Sequence, residues 1–271
     1  MMLSVRIAQR SCTGAREHNE DRLGVECTRG HWCLVLSDGA GGHRDGAIAS
    51  RLVVDRVLEG SRCRPPIDGA DLAELLLDAH DGLIAAQRER GSASRTDAMH
   101  ATVVVLLLDT NSGLALWGHV GDSRLYLLRG GRAFALTRDD SLIQVILDSG
   151  LFRPEELEGQ GLHSQLTAAL GAHEGVEPHV CDGRFEFRDG DAFLLCSDGW
   201  WGSVTEAMMV DLLATATTAE EWLDAMVASA TLKANPAQDN FSAIGCWIGD
   251  PTEATQIIQT RAMMHGGGDG A

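Results

Sequence analysis

The sequence predicts an α+β fold in which antiparallel sheets carry helices on their outer faces, and three observations predict it. Strand-like segments come in blocks, helical periodicity comes in pairs between the blocks, and neither a linker nor an internal repeat divides the 271 residues. A parallel doubly wound sheet would alternate single strands with single helices. With 44% hydrophobic residues the chain can bury the core of one large domain.

Residues 3–8 and 23–27 alternate as strands and are separated by the polar segment from Thr13 to Arg22. An apolar run at 32–37 then delivers Asp38 to the glycine-rich turn Gly39-Ala40-Gly41-Gly42-His43. Helical spacing runs from Ala47 to Leu58, and Pro65 and Pro66 break it. A second helix from Asp71 to about Arg90 turns Leu72, Leu75, Leu76, Ala79 and Leu83 inward, so the two helices cover one face of a sheet. Strands at 102–108, 114–120, 124–128 and 133–136 read as one antiparallel meander, with Gly113 and Gly130-Gly131 as hairpin signals. There follow a helix at 141–149, an irregular stretch to Leu170, strands at 184–188 and 192–197, helices at 205–214 and 218–230, and a closing strand from Asn240 to Trp247. One domain is expected over 1–249, and 250–271, with its run Gly266 to Gly270, reads as a disordered tail.

Lys+Arg 22 against Asp+Glu 39 leaves a net charge of −17, which disfavours a nucleic-acid partner over most of the surface. The seven cysteines are scattered and without a close metal-ligand pair, as small apolar fillers of a reduced cytoplasmic protein would be. The start lacks the apolar stretch of a signal peptide, and Val103 to Leu108 is too short to span a bilayer, so no membrane association is expected.

Acidic residues recur in one local setting, the junction of an apolar strand and a turn. Asp38, Asp122 in Gly121-Asp122-Ser123, Asp198 in Ser197-Asp198-Gly199 and Asp239 in Gln238-Asp239-Asn240 all sit there, and Glu20-Asp21 precede the strand beginning at Leu23. A lone Asp-Gly is an ordinary turn. Five such sites imply carboxylates converging at one end of the sheets, where they stay ionised only beside hard divalent cations such as Mg²⁺ or Mn²⁺.

These blocks, in this order over residues 4–247, resemble the metal-dependent (type 2C, PPM) Ser/Thr protein phosphatases in their bacterial form. The resemblance rests on Arg16 with Asn19-Glu20-Asp21, Leu36-Ser37-Asp38-Gly39-Ala40-Gly41-Gly42-His43 with Gly46, Met99-His100-Ala101-Thr102, and Val120-Gly121-Asp122-Ser123-Arg124 with Tyr126. Leu136-Thr137 with Ser141-Leu142, Leu166-Thr167 with Leu170-Gly171, Leu195-Cys196-Ser197-Asp198-Gly199-Trp200 and Asp239-Asn240 continue it. It implies a four-layer α/β/β/α sandwich, with two central antiparallel sheets flanked by helix pairs. It also implies a binuclear centre in which Asp38 bridges two Mn²⁺ or Mg²⁺ ions, the Gly39 carbonyl binds one, Asp198 and Asp239 bind the other, and Glu20 and Asp21 act through bound waters. Asp122 matches a position that, with Asp198, holds a third ion in bacterial members. Arg16 matches the phosphate-binding arginine.

The implied activity is hydrolysis of phosphoserine and phosphothreonine in partner proteins by a metal-activated water, opposing a cognate kinase. The chain would act as a cytoplasmic monomer. The alternative is a catalytically silent binding module on the same fold; a narrower version of the enzyme would serve one regulator. Some positions depart from the family pattern. Ala40 stands where eukaryotic relatives place a candidate general-acid His, leaving His43 as the low-ranking candidate; the Gly-Thr-Thr block reads His100-Ala101-Thr102; and Asp140 replaces a His before Ser141. Residues 150–165 resemble a flap over the rim, and Trp200, Trp201 and Trp222 read as packing aromatics.

Overall fold

The computed structural model describes residues 3–40, 44–91, 99–157, 165–173, 175–232 and 236–251. Its strands are β1 (Val5–Cys12), β2 (Asp21–Thr28), β3 (His31–Ala40), β4 (His100–Ala101), β5 (Val103–Asp109), β6 (Leu114–Val120), β7 (Arg124–Arg129), β8 (Arg132–Ala135), β9 (His179–Val180), β10 (Phe185–Glu186), β11 (Ala192–Cys196) and β12 (Phe241–Ile248). Its helices are α1 (Arg44–Cys63), α2 (Gly69–Glu89), α3 (Leu142–Asp148), α4 (Pro154–Leu157), α5 (Asp198–Trp201), α6 (Glu206–Thr215) and α7 (Ala219–Leu232).

The inner strands β5, β11 and β12 are buried on both faces because two sheets stack and each is covered outside by helices. One sheet has the order β1-β12-β11-β7-β8, and the other β10-β6-β5-β3-β2, with β4 also on β3 and β9 on β6. Successive residues alternate between layers, as the period of two requires. On β3, Leu34 and Leu36 enter the central layer, while Cys33 and Val35 face α1 and α2. On β11, Phe193 and Leu195 enter the central layer, while Leu194 and Cys196 face α6 and α7. The architecture is the expected four-layer sandwich.

The expected meander between 101 and 136 is corrected. β5 pairs β6 and β7 pairs β8, but β6 and β7 belong to different sheets. Gly121-Asp122 is therefore a crossover between the stacked sheets and not a hairpin turn. The expected strand at 184–188 shrinks to β10, and the strand at 102–108 is preceded by the two-residue β4. Residues 252–271 of the expected tail, 158–164 of the expected flap, and Gly41, Gly42 and His43 lie outside the described residues. The seven cysteines are unpaired thiols, and among the described residues no helix is long and apolar enough to cross a membrane.

Candidate active site

Both sheets end at one edge, and the acidic residues of the sequence blocks meet there. Asp21 opens β2 directly opposite Asp38 near the end of β3. From the other sheet, Asp198 begins α5 straight after β11, and Asp239 precedes β12. Asp122 sits on the crossover between the sheets. Asp38 and Asp198 approach closely enough for their carboxyl groups to share a hydrogen bond. Five carboxyls have thus come together from both sheets.

The backbone around them is tightly specified. A Cβ on Gly39 would lie 2.0 Å from the Gly46 carbonyl oxygen, so the first turn of α1 can pack this closely on the end of β3 only over glycine. Asp38 N–H donates to Thr102 Oγ1 (3.0 Å), Thr102 N–H donates to the Asp38 carbonyl (2.8 Å), and Thr102 Oγ1 shares a hydrogen bond with Ser123 Oγ (2.7 Å). Gly121, at φ +97, donates its N–H to Asp140 Oδ2 (2.9 Å), which fixes the turn carrying Asp122. Asp140, a departure from the family pattern, therefore supports the loop of an acidic site residue.

Asn240 is a residue that sequence reasoning left without a role. It is buried, its Oδ1 accepts from Glu20 N–H (2.8 Å), and its Nδ2 donates to the carbonyls of Thr13 (2.8 Å) and His18 (2.9 Å). The loop bearing Arg16 is thereby sewn to β12. Arg16 Nη2 donates to Asp239 Oδ2 at 2.6 Å, and both side chains are substantially exposed. Glu20 holds the turn through its backbone, its carbonyl accepting from Gly39 N–H (3.2 Å) and Ser50 Oγ (2.5 Å).

Electrostatics set the chemistry of this edge. Burial pushes the Asp21 carboxyl up to about 7, against hydrogen bonds from Ser242 and Ser197, and pushes Asp122 up to about 8, with Asp198 next in effect. Burial followed by Asp21 and Asp198 holds Asp38 well above the usual carboxylate range, and burial followed by Asp239 raises Asp198. Such groups ionise together only when positive charge is placed among them.

A family model described as Protein phosphatase 2C matches residues 8–244. The chain belongs to the protein phosphatase 2C family. It is 36% identical over 213 residues to the serine/threonine protein phosphatase PstP of Mycobacterium tuberculosis, covering 78% of this chain and 39% of that protein. The chain thus spans about two fifths of that relative's length. It is 31% identical over 201 residues to the protein phosphatase PhpP of Streptococcus pneumoniae, covering 73% of this chain and 79% of that one. The crystal structure of the PstP catalytic domain in complex with two manganese ions superposes with a TM-score of 0.77 at 29% identity, covering 92% of this chain and all of that one.

The residues of this phosphatase 2C domain fit divalent ions. Asp21 Oδ1 and Asp198 Oδ1 are buried without a hydrogen-bond partner, a costly state that a hard cation relieves. The shared Asp38–Asp198 contact likewise needs a proton or a cation between two acceptors. Among the described residues no three His, Cys, Asp or Glu side chains already close into a cage, so the fit rests on these orphaned oxygens and the oxygen-only donor set. Beside Asp122, Trp201 proves to be more than packing. Its Nε1 donates to the Asp122 carbonyl (2.9 Å), and its ring lies 3.6 Å below the Arg124 guanidinium, which is held by both oxygens of buried Asp139 (2.9 and 2.8 Å).

Proposed function

We propose that this chain is a metal-dependent phosphoprotein phosphatase that hydrolyses phosphoserine and phosphothreonine. The observation that carries the reading is the convergence of Asp21, Asp38, Asp122, Asp198 and Asp239 on one edge with two carboxylate oxygens buried and unpartnered. Asp38, the Gly39 carbonyl, Asp198 and Asp239 would hold two Mn²⁺ or Mg²⁺ ions, with Glu20 and Asp21 acting through water and Asp122 joining Asp198 at a third. The two manganese ions of the PstP catalytic domain support this set.

When bound, the ions supply the acidity that turns water into the attacking group and the positive charge that a phosphoryl transition state requires. The chain's own residues do the rest. Arg16 presents a planar fork to two phosphoryl oxygens from a loop pinned by Asn240. Thr102 and Ser123 keep Asp38 aimed across the gap between the sheets. Substrates are phosphorylated Ser/Thr proteins made by a cognate kinase, in the cytoplasm of a bacterium, and the enzyme acts as a monomer.

Hydrolysis of p-nitrophenyl phosphate with Mn²⁺ tests the reading. Activity should vanish with EDTA and fall at least about 100-fold in Asp38→Asn. Metal-independent turnover, or an unimpaired variant, would contradict it and favour the silent binding module.

A further inference from the structure

The leaving group of a phosphoserine departs as an alkoxide and needs a proton, yet the edge described above supplies acceptors and an arginine that does not deprotonate. The register of β3 and β4 sets a histidine beside it, opposite Ala40. The β3–β5 pairing from His31↔Asp109 to Leu36↔Val104 continues without slippage into Gly39↔Ala101 and Ala40↔His100. Ala101 is fully buried in the layer with α1 and α2, so its neighbour His100 projects to the opposite face. That face is the one used by Leu36, Val104, Thr102 and Asp38. Across an antiparallel pair, directly opposed residues share a face with Cβ atoms about 5 Å apart, and diagonal neighbours lie about 7–8 Å apart, within reach of an aromatic side chain. His100 is thus opposed to Ala40 and diagonal to Asp38. It is half-buried, while Ala40, with only a methyl group, is exposed and leaves the mouth open.

We propose that His100 is a catalytic residue of this phosphatase, giving its ring proton to the departing seryl or threonyl oxygen; this rests on the hydrolytic reading above. Water oxygen bonds to phosphorus, one of its O–H bonds breaking and that proton passing to solvent, as the ester phosphorus–oxygen bond breaks. The bonding pair stays on the leaving oxygen, which takes the His100 proton and departs as a neutral hydroxyl, and the imidazole regains a proton from solvent. The phosphoryl dianion draws a proton onto the ring when substrate binds. His18 stands on the other rim, on the exposed Arg16 loop.

Leaving-group dependence tests this, because p-nitrophenolate departs without a proton whereas phenolate and serine alkoxide need one. With Mn²⁺, His100→Asn and His100→Gly should keep kcat on p-nitrophenyl phosphate within about threefold of wild type and lose about 100-fold on phenyl phosphate and on a phosphoserine peptide. The glycine variant adds only backbone freedom at a position the family pattern gives to glycine, and added imidazole should restore part of its lost rate. Equal losses on all three substrates, no loss on any, or a leaving-group effect carried by His18→Asn in place of His100 would each overturn the assignment. Failure of wild type to hydrolyse p-nitrophenyl phosphate with Mn²⁺ would instead sink the functional reading, and this proposal with it.

Discussion

Replacing Asn240 with alanine should loosen the loop that carries Arg16 without changing any acidic side chain. The side chain makes three hydrogen bonds, one accepted from Glu20 N–H and two donated to Thr13 and His18 carbonyls, from a nearly fully buried position. Each neutral hydrogen bond contributes roughly 0.5–1.5 kcal/mol, so the loss should be about 2–4 kcal/mol. For a domain of this size that corresponds to a fall in Tm of roughly 5–10 °C. Asn240→Asp is the sharper perturbation. It keeps an acceptor for Glu20 N–H but turns an oxygen toward two carbonyls, so it should be at least as destabilising as alanine despite being nearly isosteric. Thermal unfolding with Mn²⁺ reads the stability, and product inhibition by inorganic phosphate reads the grip of Arg16. Both variants should show weaker phosphate inhibition. A Tm within about 1 °C of wild type, or an aspartate variant better than the alanine variant, would refute the described hydrogen-bond directions.

Three further outcomes are expected. Gly39→Ala should abolish metal-dependent hydrolysis in a steady-state assay, because its Cβ would meet the Gly46 carbonyl at 2.0 Å and the turn would have to move. Arg124→Ala should cost about 3–5 kcal/mol in chemical denaturation, since it strands the Asp139 carboxylate, whose side chain is only 5% exposed, and uncovers the Trp201 ring. The metal-free protein should melt at lower temperature as pH rises from 6.5 to 8. With folded values of about 7 for Asp21 and 8 for Asp122 against an unfolded value near 3.8, the folded state binds more protons in that window, and stability falls by up to about 1.4 kcal/mol per pH unit for each group. Saturating Mn²⁺ should flatten that slope in a calorimetric series, and an unchanged slope would contradict metal binding among these carboxyls.

Much of this was legible in the chain. Asp38 and Asp198 stand out because an apolar run ends on them, and the same run dictates the strand that delivers each one. Sheet membership was not legible, because alternation tells which face a residue takes and not which strand lies beside it. Gly121-Asp122 carries turn chemistry whether the next strand folds back in its own sheet or crosses to the other. The short helix α5 was hidden because Asp198-Gly199 reads as the end of a strand. Asn240 escaped for a different reason. Its partners Thr13, His18 and Glu20 lie more than 200 residues away, and an asparagine beside an aspartate looks locally like a turn. Asp140 likewise gains its meaning from Gly121, 19 residues away, and from His179 at 3.0 Å.

Asp21 and Asp38 belong to one sheet and Asp198 and Asp239 to the other, so the width of the reactive gap is whatever the greasy filling between the sheets makes it. Leu36 and Leu195 are two of the side chains that act as shims in that filling. Trimming either by a single methylene should let the sheets settle closer and so shift the carboxyls of one sheet against those of the other without altering any of them.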